Sequence, residues 1–209
     1  MSRPAQIQFL SRFAAAYDPV VRAMGFAPLW KAVADVAAPT LGEWTLDVCT
    51  GTGGAALELA RRGARVVGLD LAAGMLRRAH RKRRHAAAGA PYFVRMDARH
   101  LAFADRSFPL VTCSMALHEM AEAERTRALA EIARVSSHRV VIAEYRVPRD
   151  GRRRLLFHMS RAFEYVESDD FRGFIRRDLG ARLAHAGLVV GAAHDVGAYR
   201  VWVCHLRAR

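Results

Sequence analysis

The sequence predicts an α/β fold built on a mostly parallel sheet, and three observations carry that prediction. Apolar, strand-like runs alternate with helical ones from residue 46 onward, which is the pattern of a sheet with helices packed on it. A glycine-rich turn, Gly51-Thr52-Gly53-Gly54, separates the first of these runs from the helix that follows. The last two runs are separated only by Gly197-Ala198, too short for a crossover, so they pair as an antiparallel hairpin.

Taken in order, residues 5 to 38 read as two helices, with Gln6, Leu10, Phe13 and Tyr17 on one face, then Trp30 and Val33 after a break at Gly25 to Pro28. Strands are expected at Thr45 to Cys49, Arg65 to Asp70, Tyr92 to Met96, Leu110 to Ser114, Arg139 to Tyr145, Leu188 to Val196 and Tyr199 to Leu206. Helices are expected at Gly54 to Arg62, Ala72 to Ala88, Glu119 to Val135 and Asp169 to Ala186. Gly63, Gly89 and Gly187 follow three of them, where a left-handed C-terminal cap belongs. The segment Arg152 to Phe174 carries Leu155, Leu156, Phe157, Met159, Phe163, Tyr165 and Phe171. Helix packing accounts for most of these apolar residues, and a cover over a ligand crevice is the alternative. The expected arrangement is Rossmann-like: three layers around seven strands, with ligands outside the carboxyl ends of the parallel strands.

A chain of 209 residues that is 52% hydrophobic suffices for one sizeable core. One domain spanning 1–209 is expected, made of a helical lid (1–40), a cofactor-binding core (41–147), a helical substrate cap (148–178) and the last helix with the hairpin (179–209). No apolar run approaches membrane-spanning length and the first residues lack a signal-peptide core, so a soluble, cytoplasmic protein is expected. Cys49, Cys113 and Cys204 are widely spaced, which argues against a zinc site or a disulfide framework. The formal charge of +13 invites a polyanion partner, yet Lys31 and Lys82 are the only lysines. The densest run, Arg77 to His85, lies on an expected helix, where a solvated face is the favoured reading over nucleic acid or an anionic membrane surface.

The stretch Leu46-Asp47-Val48-Cys49-Thr50-Gly51-Thr52-Gly53-Gly54 and the strand end Val66-Val67-Gly68-Leu69-Asp70 carry most of the functional signal. Glycines let a turn approach a ligand, the helix start offers unpaired N–H groups, and a carboxylate nineteen residues after Gly51 can accept from both ribose hydroxyls. Gly51-x-Gly53-x-x-Ala56 also satisfies the dinucleotide fingerprint. Asp47 argues against a dinucleotide, because a carboxylate beside an anionic pyrophosphate is costly, whereas the sulfonium and ammonium of S-adenosyl-L-methionine gain from it.

With these residues the chain resembles the class I S-adenosylmethionine-dependent methyltransferases of the methyltransferase type 11 group, and is similar to the ubiquinone/menaquinone biosynthesis C-methyltransferase branch. It departs from the family at Cys49, where a further glycine is common, and at Pro109, where aspartate is usual and the start of the fourth strand is put in doubt. The resemblance implies a cofactor site made of Tyr17, Asp47, Thr50, Gly51, Gly53, Asp70, Leu71, Met75, Asp97, Ala98 and Ser114. Asp70 would take the ribose, Asp97 the adenine amino group, and the Tyr17-Asp18 pair belongs to a segment that closes over the methionine end.

The amine-binding tetrapeptide of nucleic-acid amino methyltransferases is absent from Ser114-Met115-Ala116-Leu117-His118. His118 is the imidazole expected at the carboxyl edge of the sheet, a candidate general base or acceptor-orienting residue, with structural packing equally open. Glu144, Tyr145 and Arg146 are weaker acceptor-site candidates. No histidine set has metal-ligand spacing. The expected activity is methyl transfer to a small apolar or amphipathic acceptor such as a quinone precursor or lipid. The alternatives are a tRNA methyltransferase using Arg77 to His85 and Arg152 to Arg154, a nicotinamide-dependent oxidoreductase, and a non-catalytic cofactor-binding protein.

Overall fold

The computed structural model describes residues 7–9, 11–12, 14, 17–19, 26–84, 89–147, 151, 169–176 and 178–207. Seven strands, β1 (Trp44–Val48), β2 (Arg65–Asp70), β3 (Tyr92–Arg95), β4 (Phe108–Ser114), β5 (Ser136–Tyr145), β6 (Leu188–Val196) and β7 (Tyr199–Leu206), form one sheet in the order β3-β2-β1-β4-β5-β7-β6. Pairings among β1 to β5 are parallel, and β7 runs antiparallel to both β5 and β6.

Helices α1 (Phe26–Ala37), α2 (Gly54–Arg61) and α3 (Ala73–Arg83) pack on one face. On the other face lie α4 (Glu122–Val135) and α6 (Leu179–His185), with α5 (Asp169–Arg176) between β5 and α6 in the chain. The period of two is visible in the core: Leu110, Val141 and Ala143 join the cluster under α1 and α2, while Val111, Val140 and Ile142 join the cluster under α4. Both faces of the central part of β4 and of the second half of β5 are therefore covered, and Val140-Val141-Ile142-Ala143 reads as a continuous apolar run. At the far edge β6 is exposed along most of its length.

Several boundaries differ from expectation for local reasons. No break falls at Pro28, which lies in the first turn of α1, where a missing N–H costs nothing. Strand β4 begins at Phe108, before Pro109, and its register against β5 shifts between Phe108 and Leu110, while pairing with β1 starts only at Leu110. Pro109 thus sits in an irregularity of a central strand, a place that tolerates it. The helix expected from Glu119 is a 3-10 turn, Leu117–Glu119, followed by α4. The long helix expected at Asp169 to Ala186 is two helices, with Asp178 accepting from Gly180 N at 2.9 Å to cap the second. Gly63 and Gly187 follow the C-caps of α2 and α6 with φ of 90° and 79°, as expected, whereas Gly89, at φ 94°, lies six residues beyond the end of α3 at Arg83 and does not cap it. The basic helix ends at Arg83. Most of the expected 148–178 cap, including Arg152 to Arg154, and residues 85–88 lie outside the described residues.

Candidate functional site

The strand order reverses between β1 and β4, so the carboxyl ends of these strands and of β2 leave a crevice. A cleft of about 750 Å³, counting its open mouth, lies there. Of the expected cofactor residues, Tyr17, Gly51, Asp70, Leu71, Met75 and Ala98 line it. Gly51 and Gly53 have φ of 55° and 78°, a region that glycine enters freely. A Cβ at Gly53 would also meet the Phe93 ring at 2.8 Å.

Asp70 joins the loop to α3: Gly51 N donates to its Oδ2 at 2.9 Å and Ala72 N to its Oδ1 at 2.8 Å. Burial raises its pKa, and the N–H groups of Ala72, Gly51 and Leu71 pull it back. Asp47 lies beneath the loop, outside the cleft lining, and is almost wholly buried. Thr50 Oγ1 donates to its Oδ2 at 2.6 Å and Thr112 Oγ1 to its Oδ1 at 2.7 Å. Desolvation raises its pKa to about 6 despite those two hydroxyls, and Asp70 adds to the rise. No cation pairs with it through a salt bridge among the described residues.

Gly53, Thr50, Asp97, Ser114 and the expected base His118 also stand off the cleft lining, His118 one residue from Glu119, which is on it. Asp97 is forked by Arg99, whose Nη2 lies 2.7 Å from Oδ2 and whose Nη1 reaches Glu124 at 2.7 Å. Ser114 is half-buried at the end of β4, and the next residues, Met115 and Ala116, line the cleft instead. Cys49, Met96, Glu119 and Met120 complete this wall. Sequence reasoning did not single these out for the site, although Cys49, Met96 and Met115 each directly follow a strand, which is the signal that marks a crevice wall in this fold. Cys49 and Met115 hold φ of 57° and 55°, left-handed backbone that a side chain resists. A glycine at position 49, the residue expected there from the family resemblance, would hold this backbone without that resistance.

His118 lies in the 3-10 turn after β4 and is buried. Its Nδ1 is 2.8 Å from Glu144 Oε2, and its ring packs edge-on against Tyr145, Phe171 and Phe174 at centroid distances of 4.9, 5.9 and 6.2 Å. Glu144, wholly buried at the end of β5, also accepts from the backbone N–H groups of Ala116, Leu117 and His118 at 3.0, 2.7 and 3.3 Å. Arg125, buried in α4, donates to the carbonyls of Leu117 and Met120 at 2.7 and 2.5 Å, with its guanidinium over Phe174. Arg125 carries no sequence signal, since it sits in an ordinary helical run.

The N-terminal segment reaches the same cleft. Ile7 and Tyr17 line it, and Asp18 accepts from Thr52 Oγ1 at 2.6 Å, Arg78 Nε at 2.8 Å and Lys82 Nζ at 2.9 Å. Burial would raise the Asp18 pKa, but these donors hold it below the ordinary value. The basic run remains at the surface, with Arg77, His80, Arg81 and Arg84 exposed, but parts of it are engaged: Arg78 and Lys82 pair with Asp18, His80 meets Phe93 edge-on and Arg83 covers the exposed Tyr92 ring. Among the described residues no group of His, Cys, Asp and Glu could hold a metal ion.

A turn of glycines at the end of β1, a carboxylate at the end of β2 and this strand order are the features of one class, and the chain belongs to the class I S-adenosylmethionine-dependent methyltransferases. A family described as a methyltransferase domain matches residues 45–138. The chain is 42% identical to a demethylmenaquinone methyltransferase of Thermobifida fusca over 50% of this chain and 44% of that protein. It is 30% identical to an uncharacterized methyltransferase of Synechocystis over 80% and 76% of the two chains. The chain spans about half the length of the curated demethylmenaquinone methyltransferases it matches. In fold it is similar to a methyltransferase in complex with the Haloferax volcanii Trm112 activator (TM-score 0.73, 18% identity, 95% and 98% of the two chains). It is likewise similar to the magnesium protoporphyrin IX methyltransferase of Synechocystis with bound S-adenosylhomocysteine (TM-score 0.63, 19% identity, 87% and 84%).

Proposed function

We propose that this protein transfers the methyl group of S-adenosyl-L-methionine to a small, apolar or amphipathic acceptor, with a quinone precursor as the favoured case. The observation that carries the reading is the single cleft wall shared by two kinds of group: Gly51, Asp70 and Ala98 on one side, and Met115, Ala116 and Met120, on the turn that bears His118, on the other. The first set suits a nucleoside; the second is apolar and polarisable, as a sulfonium and a lipophilic acceptor require. The demethylmenaquinone methyltransferases among its relatives support the quinone.

In this reading Asp70 accepts from both ribose hydroxyls, exchanging its bonds to Gly51 and Ala72 N–H for them, and Leu71, Met75 and Ala98 enclose the base. Asp97 reaches the adenine amino group only if Arg99 yields. Gly51 and Gly53 shape the loop, Thr50 and Ser114 flank the methionine end, and Asp47 beneath them supplies the negative charge that an ammonium and a sulfonium meet. Residues 1–40 act as the lid, through Ile7 and Tyr17. The protein's main contribution is to hold the acceptor in line with the methyl and keep water out, since the methyl carbon is already activated. The positive charge on sulfur disappears during transfer, and apolar walls favour that change.

The test is transfer of labelled methyl from S-adenosylmethionine into demethylmenaquinol and into a cell extract split into organic-soluble and macromolecular fractions. Label in the organic phase is expected. Label in RNA would replace the acceptor with a polyanion, and normal cofactor binding with no transfer would make the protein a cofactor-binding module.

A further inference from the structure

We propose that Glu144 is a positioning residue that fixes His118 as a proton acceptor, and that Arg125 holds the turn on which both act. The proposal rests on the reading of His118 as the base. Glu144 has no solvent exposure, and a buried carboxylate is tolerable only when its lone pairs are occupied by donors. Three consecutive N–H groups, of Ala116, Leu117 and His118, converge on Oε1, and the His118 ring Nδ1 lies 2.8 Å from Oε2. With Oε1 taken up by backbone N–H groups, Oε2 is the acceptor that an Nδ1–H of His118 meets, which places the ring proton on Nδ1 and the lone pair on Nε2. Arg125 ties the carbonyls of Leu117 and Met120 from the other side of the turn. The turn is thus held by a carboxylate at its N–H groups and a guanidinium at its carbonyls, while Ala116, Glu119 and Met120 in the same stretch face the cofactor cleft.

The step this serves balances simply. The acceptor's nucleophilic atom forms a bond to the methyl carbon, the carbon–sulfur bond breaks with its electron pair passing to the sulfonium, and the acceptor's proton passes to His118 Nε2. The imidazolium so formed lies against the Glu144 carboxylate, which stabilises it, and the proton leaves to solvent after the product departs. Among the described residues, the charged and titratable groups near the ring are Glu144 and Tyr145 from β5, Glu119, whose Oε1 is 3.9 Å from Nε2, and, through Phe174, Arg125 from α4 and Arg182 from α6.

The decisive variant is Glu144→Gln. The amide can still accept the backbone N–H groups, but it offers its NH₂ to Nδ1, which favours the opposite tautomer and moves the proton to Nε2. Turnover with demethylmenaquinol should fall by about 10²–10⁴-fold while S-adenosylhomocysteine affinity and melting temperature stay unchanged. Histidine ¹⁵N spectra, with His118 assigned from its loss in His118→Asn, should show a protonated Nδ1 and bare Nε2 in the wild type. The reverse tautomer in the wild type, or full turnover in Glu144→Gln, would overturn the proposal even if methyl transfer itself is confirmed. An Nδ1–H tautomer with no transfer by the wild type to any organic-soluble acceptor would instead uphold the dyad and remove the quinone reading.

Discussion

The two halves of the cleft are built on different principles. Around β1 and β2 the site is backbone: glycines in left-handed conformation, N–H groups aimed at Asp70, and a buried Asp47 that takes the hydroxyls of Thr50 and Thr112 and the backbone N–H of Ala56. Around β4 and β5 it is side chains: a carboxylate and a guanidinium from separate elements clamp one short turn and the ring it bears. Under the proposed function the first half would recognise a ligand through the shape of the main chain and the second would prepare a reactive group. Substitutions should therefore separate affinity from turnover along the line between β1 and β4.

The largest effect expected is at His118. His118→Asn should lower kcat by about 10²–10⁴-fold with cofactor affinity intact, the size of a lost general base, as single-turnover kinetics and calorimetric titration will show. Equal loss of both would erase the division between the halves. Next comes Asp70→Ala, which should weaken S-adenosylhomocysteine binding by about ten- to a hundredfold, as the loss of a charge-assisted, two-point contact implies; wild-type affinity would move the site elsewhere.

Asp47 sharpens the comparison through pH. With a pKa of about 6 in the unliganded protein, it is protonated below that value, and a bound cation prefers its ionised form. Titration of S-adenosylmethionine should find affinity level above pH 6 and falling by up to about tenfold per unit below it, with the slope abolished in Asp47→Asn. Because burial raises this pKa above that of the unfolded chain, the native state takes the proton more readily. The Asp47 contribution to stability therefore rises as pH falls from about 7 toward 4, opposite to the trend of a salt-bridged carboxylate. The smallest effect is at Cys49: at a φ of 57°, Cys49→Gly should exceed Cys49→Ala in stability by about 1 kcal/mol, measured by denaturant unfolding.

The same division explains what could be read from the sequence. Gly51 and Asp70 follow from local patterns, a glycine turn after one strand and a carboxylate at the end of the next, while Leu71, Met75 and Ala98 follow from the family resemblance; all five line the cleft. The seven strands also follow from local patterns, because apolar alternation and capping glycines are local signals too. The Glu144–His118 contact spans 26 residues and depends on the register of β4 against β5, and Arg125 belongs to a helix whose periodicity says nothing of a buried guanidinium. Asp97 shows the converse: a motif position with a clear expected role whose carboxylate is forked by Arg99, two residues along, on the same loop. The break at Asp178 and the 3-10 turn before α4 also escaped, since helical periodicity continues across both.

The junction at Asp18 has a further consequence. One carboxylate binds Thr52 of the glycine turn and Arg78 and Lys82 of α3, next to Tyr17 in the cleft wall. Contacts of this kind between partly exposed charges weaken as counterions accumulate, less than those of fully exposed pairs. Dissolved salt, which leaves the apolar wall untouched, should therefore act on the rate at which a ligand beside Tyr17 is exchanged, making residence time an adjustable property separate from chemistry.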